Sequence, residues 1–278
     1  MVKQIILSGG LGNQMFQYAL YLSLKERGVK CVLNASMYHD IKIHQGYELG
    51  RVFGIEGVVI NWGKLRRLWL RVLQKFYPTC LVCKDPVITY CEEVYHTKAH
   101  YYFGYWMNEA YLRPVADKVC SAFGFHNIDE KNMALVEQMK KQNSVSLHIR
   151  RGDYLKDNNY NVCTETYYRN AINLFNEKLD NPHYYVFSDD PQWCESFMKQ
   201  FNVNYSVVTH NRRTDSYKDM FLMTQCRHNI MANSTFSWWG SWLNNNPGKI
   251  VIAPTPWWNI NDKTPVCEGW TLISGKEK

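Results

Sequence analysis

Hydrophobic positions along this chain follow two periods, one of about two residues and one of about 3.6. Residues 3–8 (KQIILS) form a short apolar run of β character, followed by Gly9-Gly10-Leu11-Gly12-Asn13-Gln14. From Met15 to Arg27, Phe16, Ala19, Leu20, Leu22 and Ser23 recur at helical spacing, and Gly28 stands where a helix C-terminal cap belongs. Val29–Leu33 reads as a second strand, so the opening is strand, glycine loop, helix, strand: the start of a parallel α/β sheet. Residues 35–125 are less regular and hold an amphipathic helix and the aromatic tract His100–Trp106. Beyond residue 144 the alternation returns. Ser144–Ile149 is a predicted strand, Thr164–Leu179 a helix capped by Thr164, and Tyr184–Phe187 a strand. Ser188-Asp189-Asp190-Pro191 opens another helix, with polar caps and a proline in its first turn. Asn229–Ala232 reads as a buried strand, Ser234–Asn244 as a helix and Lys249–Ala253 as a final strand. The pattern predicts two Rossmann-like α/β halves facing a cleft, with an irregular bridge between them and no internal repeat.

Composition narrows this picture. The 278 residues leave room for two domains, and 46% apolar with 21% charged residues is the balance of a folded globular chain. No stretch approaches the roughly 18 apolar residues of a spanning helix, and the N-terminal run ends in glycines without a cleavage site, which favours a strand over a signal peptide. Nine scattered cysteines, an odd number, imply reduced thiols in a cytoplasmic protein. Cys80 and Cys83 form a lone CxxC with Cys91, His96 and His100 downstream; those spacings fit no standard zinc site, and incidental thiols are the default reading.

The net charge of +7 is concentrated. Lys64, Arg66, Arg67, Arg71 and Lys75 fall in one short window without an acid, and Leu65, Leu68, Trp69, Val72, Leu73 and Phe76 make a helical apolar stripe there. One reading packs that stripe on the domain with a solvated basic side; the sharper one docks residues 64–76 reversibly on an anionic membrane surface. The rest of the chain is nearly charge-balanced and shows no nucleic-acid module.

Four strings carry candidate chemistry. His148-Ile149-Arg150-Arg151-Gly152-Asp153-Tyr154 directly follows a strand, where parallel sheets bind ligands. Arg150 and Arg151 match phosphate oxygens, and His148 shares the face of Arg150; a salt-bridged strand end, with Arg151 on Asp153, is the structural alternative. The glycine loop with Gly10, Gly12, Asn13 and Gln14 lacks the third glycine of a dinucleotide fingerprint and the Lys-Ser/Thr of a P-loop. It offers instead a helix N-terminus suited to an anion or a polar ligand. Asn233, Ser234, Thr235 and Phe236 open a helix, where hydroxyls cap or donate to phosphate, and Asp189 and Asp190 place carboxylates at a strand end. No Asp-x-Asp occurs, so a nucleotide-sugar diphosphate would be neutralised by arginine and helix termini rather than a metal.

Together GGLGNQMFQYA, HIRRGDY, the SDD turn and ANSTFSWWGSWL closely resemble the α-1,2-fucosyltransferases of glycosyltransferase family eleven, in the family's order and over residues 9–243. The resemblance implies a GT-B-type fold, with residues 1–130 a Rossmann-like domain on the acceptor side and 131–278 a Rossmann-like domain binding GDP-fucose. It implies inversion at the anomeric carbon with no metal and no cofactor, GDP-fucose being a co-substrate and a galactose-containing glycan the acceptor. By the same resemblance Arg150 binds the β-phosphate, His148 and one of Asp189 or Asp190 face guanine, Ser234, Thr235 and Phe236 line the phosphate and base pocket, and Asn13 reaches the reacting end of the donor. Asp153 and Glu165 are the candidate bases, and Tyr105 and Trp106 are candidate platforms for the acceptor sugar. Animal members carry an N-terminal anchor and stem, whereas this chain begins at the catalytic domain; the expectation is a bacterial enzyme of the cytoplasm or the inner membrane face, building a surface polysaccharide or O-antigen. The rivals are a transferase for another GDP-sugar such as GDP-mannose, a non-catalytic sugar- or nucleotide-binding protein, and an oxidoreductase, which the missing third glycine disfavours.

Overall fold

A computed structural model describes residues 2–39, 45–56, 59–76 and 87–275. The chain divides into two compact units, Met1–His126 and Asn127–Lys278. In the first unit the order is β1 (Lys3–Ile6), α1 (Leu11–Glu26), β2 (Cys31–Asn34), α2 (Leu49–Phe53), β3 (Val59–Ile60), α3 (Lys64–Phe76), β4 (Tyr101–Tyr102) and α4 (Ala116–Ala122). The four strands are all parallel, in the order β3-β2-β1-β4. Helix α1 begins at Leu11, within the glycine loop and four residues earlier than its apolar period predicts. It ends as predicted: Gly28, in the left-handed region at φ 76°, donates its N–H to the Lys25 carbonyl at 3.0 Å.

The second unit runs α5 (Glu130–Lys140), β5 (Asn143–Ile149), α6 (Glu165–Lys178), β6 (Pro182–Ser188), α7 (Pro191–Met198), β7 (Asn204–Val208), α8 (Tyr217–Gln225), β8 (His228–Ile230), α9 (Thr235–Trp242), β9 (Val251–Thr255) and β10 (Thr271–Ser274). Its six strands are all parallel and ordered β10-β9-β8-β5-β6-β7. Numbered within the unit this is 3-2-1-4-5-6, the order of a Rossmann sheet. The strand predicted to be final, β9, is followed by one more, β10. Polar caps set the helix starts: Thr164 accepts from the Tyr167 N–H, Asp190 from Trp193 and Ser234 from Phe236.

One face of this sheet packs Val145, Leu147, Ile149, Val186 and Ile230 against Tyr167, Tyr168, Ile172 and Phe175 of α6 and Phe197 of α7. Tyr185 and Phe187, which alternate with Val186, point to the other face and meet Met139 of α5 and Leu222 and Met223 of α8. A strand apolar on both faces must be sandwiched between helix layers, which fixes the α/β architecture. Each unit is thus the parallel α/β module that the sequence predicts. Cys80 and Cys83 lie outside the described residues; among the described residues the cysteines are free thiols, and no group of three or more His, Cys, Asp or Glu side chains is placed to hold a metal ion. No described helix is long and apolar enough to cross a membrane.

Candidate active site

In a doubly wound sheet the crossovers reverse direction at one point, and the loops leaving the carboxyl ends of the two strands there splay apart to form a ligand crevice. In the second unit that point lies between β5 and β8, which are adjacent. Strand β5 delivers Arg150-Arg151-Gly152-Asp153-Tyr154, and β8 delivers Asn233-Ser234 and the start of α9. The two strings are some eighty residues apart in sequence and meet directly: the Tyr154 hydroxyl donates to the Asn233 carbonyl at 3.2 Å.

Charge at this point is arranged as two arginines among three carboxylates. Arg150 pairs with Asp153 at 2.6 Å and with Asp189 at 3.1 Å, its guanidinium 5.5 Å from the Tyr154 ring centre. Arg151 pairs with Asp190 at 3.3 Å and stacks 3.8 Å from the Trp193 ring centre, while its N–H donates to Asp189 at 3.0 Å. The sequence-based alternative of an Arg151–Asp153 pair is therefore replaced by Arg150–Asp153. Asp189 and Asp190, expected to turn one carboxylate to a base edge, are both engaged by the arginines. A Cβ on Gly152 would sit 2.7 Å from an Asp189 oxygen, so a larger residue here would make that carboxylate shift.

His148 is buried beside them, its ring 5.9 Å from that of Phe236 across the β5–β8 junction. Burial and then the nearby Arg150 charge push its pKa down to about 3, so the imidazole is neutral at physiological pH. Its Nδ1 is buried without a hydrogen-bond partner. Asn233, placed among the donor-contacting residues by sequence, is instead fully used inside the protein. Its amide donates to the Tyr160 and Trp257 carbonyls at 2.9 and 3.1 Å, and its oxygen accepts from the Cys163 thiol at 3.4 Å. It clamps the segments that flank the site. Ser234 caps α9, Thr235 and Phe236 are half-buried at its start, and Glu165 is exposed in the first turn of α6.

The glycine loop of the first unit occupies the equivalent place there, between the carboxyl ends of β1 and β4. Gly9 lies in the left-handed region at φ 78°, where a Cβ would meet the Asn13 amide at 2.3 Å. Two expectations are corrected here. Gln14 is buried and spends its amide within the fold: it donates to the Gly9 and Gly46 carbonyls at 3.1 and 2.8 Å and accepts from the Glu48 N–H at 2.9 Å. The start of α1 is not an open anion site, because the buried Glu48 carboxylate accepts from the Leu11 N–H at 3.1 Å. Glu48 is in turn paired with Arg51 at 2.8 Å, and beside it Gly10 and Asn13 are half-exposed while Gly12 is buried. Of the two aromatic platforms, Tyr105 is half-exposed, but Trp106 is 1% exposed and packed on Tyr102 and Tyr111, so its ring face is not offered to a glycan. Trp193, Tyr154 and Glu48 are site-building residues that sequence reasoning missed; only Tyr154, inside HIRRGDY, carried a signal.

Two doubly wound α/β modules, with paired arginines at the switch point of one, are the components of a nucleotide-dependent transferase. The model of glycosyl transferase family 11 matches residues 2–271, and the chain belongs to that family. An alpha-1,2-colitosyltransferase of Escherichia coli is 33% identical, covering 96% of this chain and 97% of its own. The O-antigen biosynthesis glycosyltransferase WbnK of Escherichia coli is 31% identical over 93% of this chain and 95% of its own. The galactoside 2-alpha-L-fucosyltransferase Sec1 of Mus musculus is 26% identical, over 86% of this chain and 63% of its own.

Proposed function

We propose that this glycosyltransferase is an inverting, metal-independent enzyme that moves L-fucose from GDP-fucose to the 2-hydroxyl of a galactose-containing acceptor, in surface polysaccharide or O-antigen synthesis. The observation that carries the reading is the meeting of HIRRGDY and NSTF at the carboxyl ends of β5 and β8, with Arg150 held between carboxylates beside a neutral His148. The acceptor oxygen attacks fucose C1, the bond from C1 to the β-phosphate oxygen breaks, and its electron pair leaves with GDP on the opposite face. Arg150 meets that growing charge. Its Asp153 partner is 60% exposed, so the pair contributes only about 0–1 kcal/mol and a diphosphate exchanges for it readily. Neutral His148, with its unpartnered Nδ1, suits the edge of an uncharged purine. Asn13 takes the role the family resemblance gives it, at the reacting end of the donor. The acceptor proton goes to Asp153, in the family string, to Glu165, at the start of α6, or to solvent where a strongly dissociative transition state needs little base help. Asp153→Asn and Glu165→Gln separate them: the base is the residue whose loss removes about 10²–10⁴ in kcat.

A second donor is favoured by one finding, the colitosyltransferase at 33% identity. Colitose is L-fucose without its 3-hydroxyl. The test is GDP release in EDTA from GDP-fucose and GDP-colitose, with and without lactose. Acceptor-dependent release from GDP-fucose supports the proposal. Release confined to GDP-colitose replaces the donor, and donor binding without release under any β-galactoside overturns the galactoside acceptor and leaves another acceptor or a binding protein.

A further inference from the structure

We propose that α3 is a docking helix that seats this protein on an anionic lipid surface through an apolar stripe turned to solvent. The helical period alone leaves the direction of that stripe open. In the structure Leu65 is 84% exposed, Phe76 69% and Leu68 59%, with Trp69 and Val72 about half exposed. The contact that holds the helix is off the stripe: Leu70 is fully buried. Trp69 adds an edge contact to Tyr101 of β4, with ring centres 5.4 Å apart. Of the eleven exposed large apolar side chains among the described residues, five lie on this one helix, so the patch is a concentration rather than scatter.

The charges complete the surface. Lys64, Arg71 and Lys75 recur at seven- and four-residue spacing, which aligns them along one flank of the stripe. Arg66 stands on the other side, its guanidinium 5.9 Å from the Trp62 ring centre. No acid occurs between Glu56 and Asp85. An apolar face flanked by cations and aromatic rings lies in the plane of a bilayer interface, with the cations at the level of anionic headgroups. A second copy of this chain fits less well, because α3 against α3 sets five cations against five with no acid between them. A nucleic acid would leave the stripe in water. The inference does not rest on the donor or acceptor proposed above.

The experiment is co-sedimentation of the full chain with vesicles of phosphatidylcholine alone and with about 30% phosphatidylglycerol. Binding is expected only to the anionic vesicles, and raising salt from about 0.05 to about 0.5 M should weaken it at least about tenfold. Lys64→Glu with Lys75→Glu should cost at least about 25-fold, since each cation near such a surface multiplies partitioning about fivefold. Leu65→Ser with Phe76→Ser should cost at least about tenfold. Both pairs change exposed side chains, so far-UV circular dichroism and turnover of a soluble acceptor should stay at the parent values. Equal binding to neutral and anionic vesicles, or unchanged binding by both variants, overturns the proposal. So does a concentration-dependent dimer, or a nucleic-acid complex, that the variants abolish while the parent ignores vesicles.

Discussion

Replacing Gln14 with leucine separates a structural from a ligand-binding role for the most polar buried residue of the glycine loop. The side chain is fully buried, so leucine, of similar volume, fits the space but makes none of its hydrogen bonds. The Gly9 carbonyl keeps a partner, because the Tyr38 hydroxyl also donates to it at 2.6 Å. The Gly46 carbonyl is half-exposed and can turn to water, at a cost of about 0.5–1.5 kcal/mol. The Glu48 N–H is buried and is left without its acceptor, costing about 1–3 kcal/mol. The sum is about 1.5–4.5 kcal/mol, borne by the first unit. Glu48 also caps α1, so loss of its backbone anchor loosens that helix start. Urea unfolding followed by circular dichroism should show an earlier transition for Gln14→Leu, while the KM for GDP-fucose, measured well below that transition, stays within about threefold of the parent. An unchanged unfolding midpoint with a donor KM raised tenfold or more would refute the reasoning and return Gln14 to the ligand.

Three further outcomes are expected. Arg150→Ala should lower kcat by at least about 10²–10³ without loss of the fold, read as GDP release at saturating donor; near-parent turnover removes Arg150 from the mechanism. Gly152→Ala forces the Asp189 carboxylate away from its 2.7 Å approach, so kcat/KM should fall roughly tenfold, as expected when a positioned group is displaced, with little change in unfolding midpoint. Asp219 is half-buried and accepts from Asn211 at 2.8 Å, and desolvation pushes its pKa up to about 7. The folded state therefore holds a proton that the unfolded state releases near pH 4, so its contribution is fully present below pH 4 and is lost as pH rises towards 7. Between those values stability should fall by up to about 1.4 kcal/mol per pH unit from this group, and Asp219→Asn should flatten that slope in urea titrations.

Much of the second unit was legible because its signals are local. Thr164, Asp190 and Ser234 each cap the helix predicted to follow, and β5 and β6 announce themselves as apolar runs. Strands β7 and β10 were not read: they are edge strands, half-exposed for most of their length, and their composition does not distinguish them from loops. The site was legible as separate strings but not as a place, since the adjacency of β5 and β8 belongs to strand order, which no local pattern carries. The same limit explains Gln14 and α3. The partner that absorbs Gln14 is Glu48, far along the chain, and periodicity defines a stripe without saying which way it faces.

The stacking of Arg151 on Trp193 has an optical consequence. An indole 3.8 Å from a guanidinium that borders the proposed diphosphate site is an intrinsic fluorophore in the field of the incoming charge. Donor binding by this protein should thus be visible as a change in tryptophan emission, which Trp193→Phe isolates from the nine other tryptophans, so that affinities can be read without label or turnover.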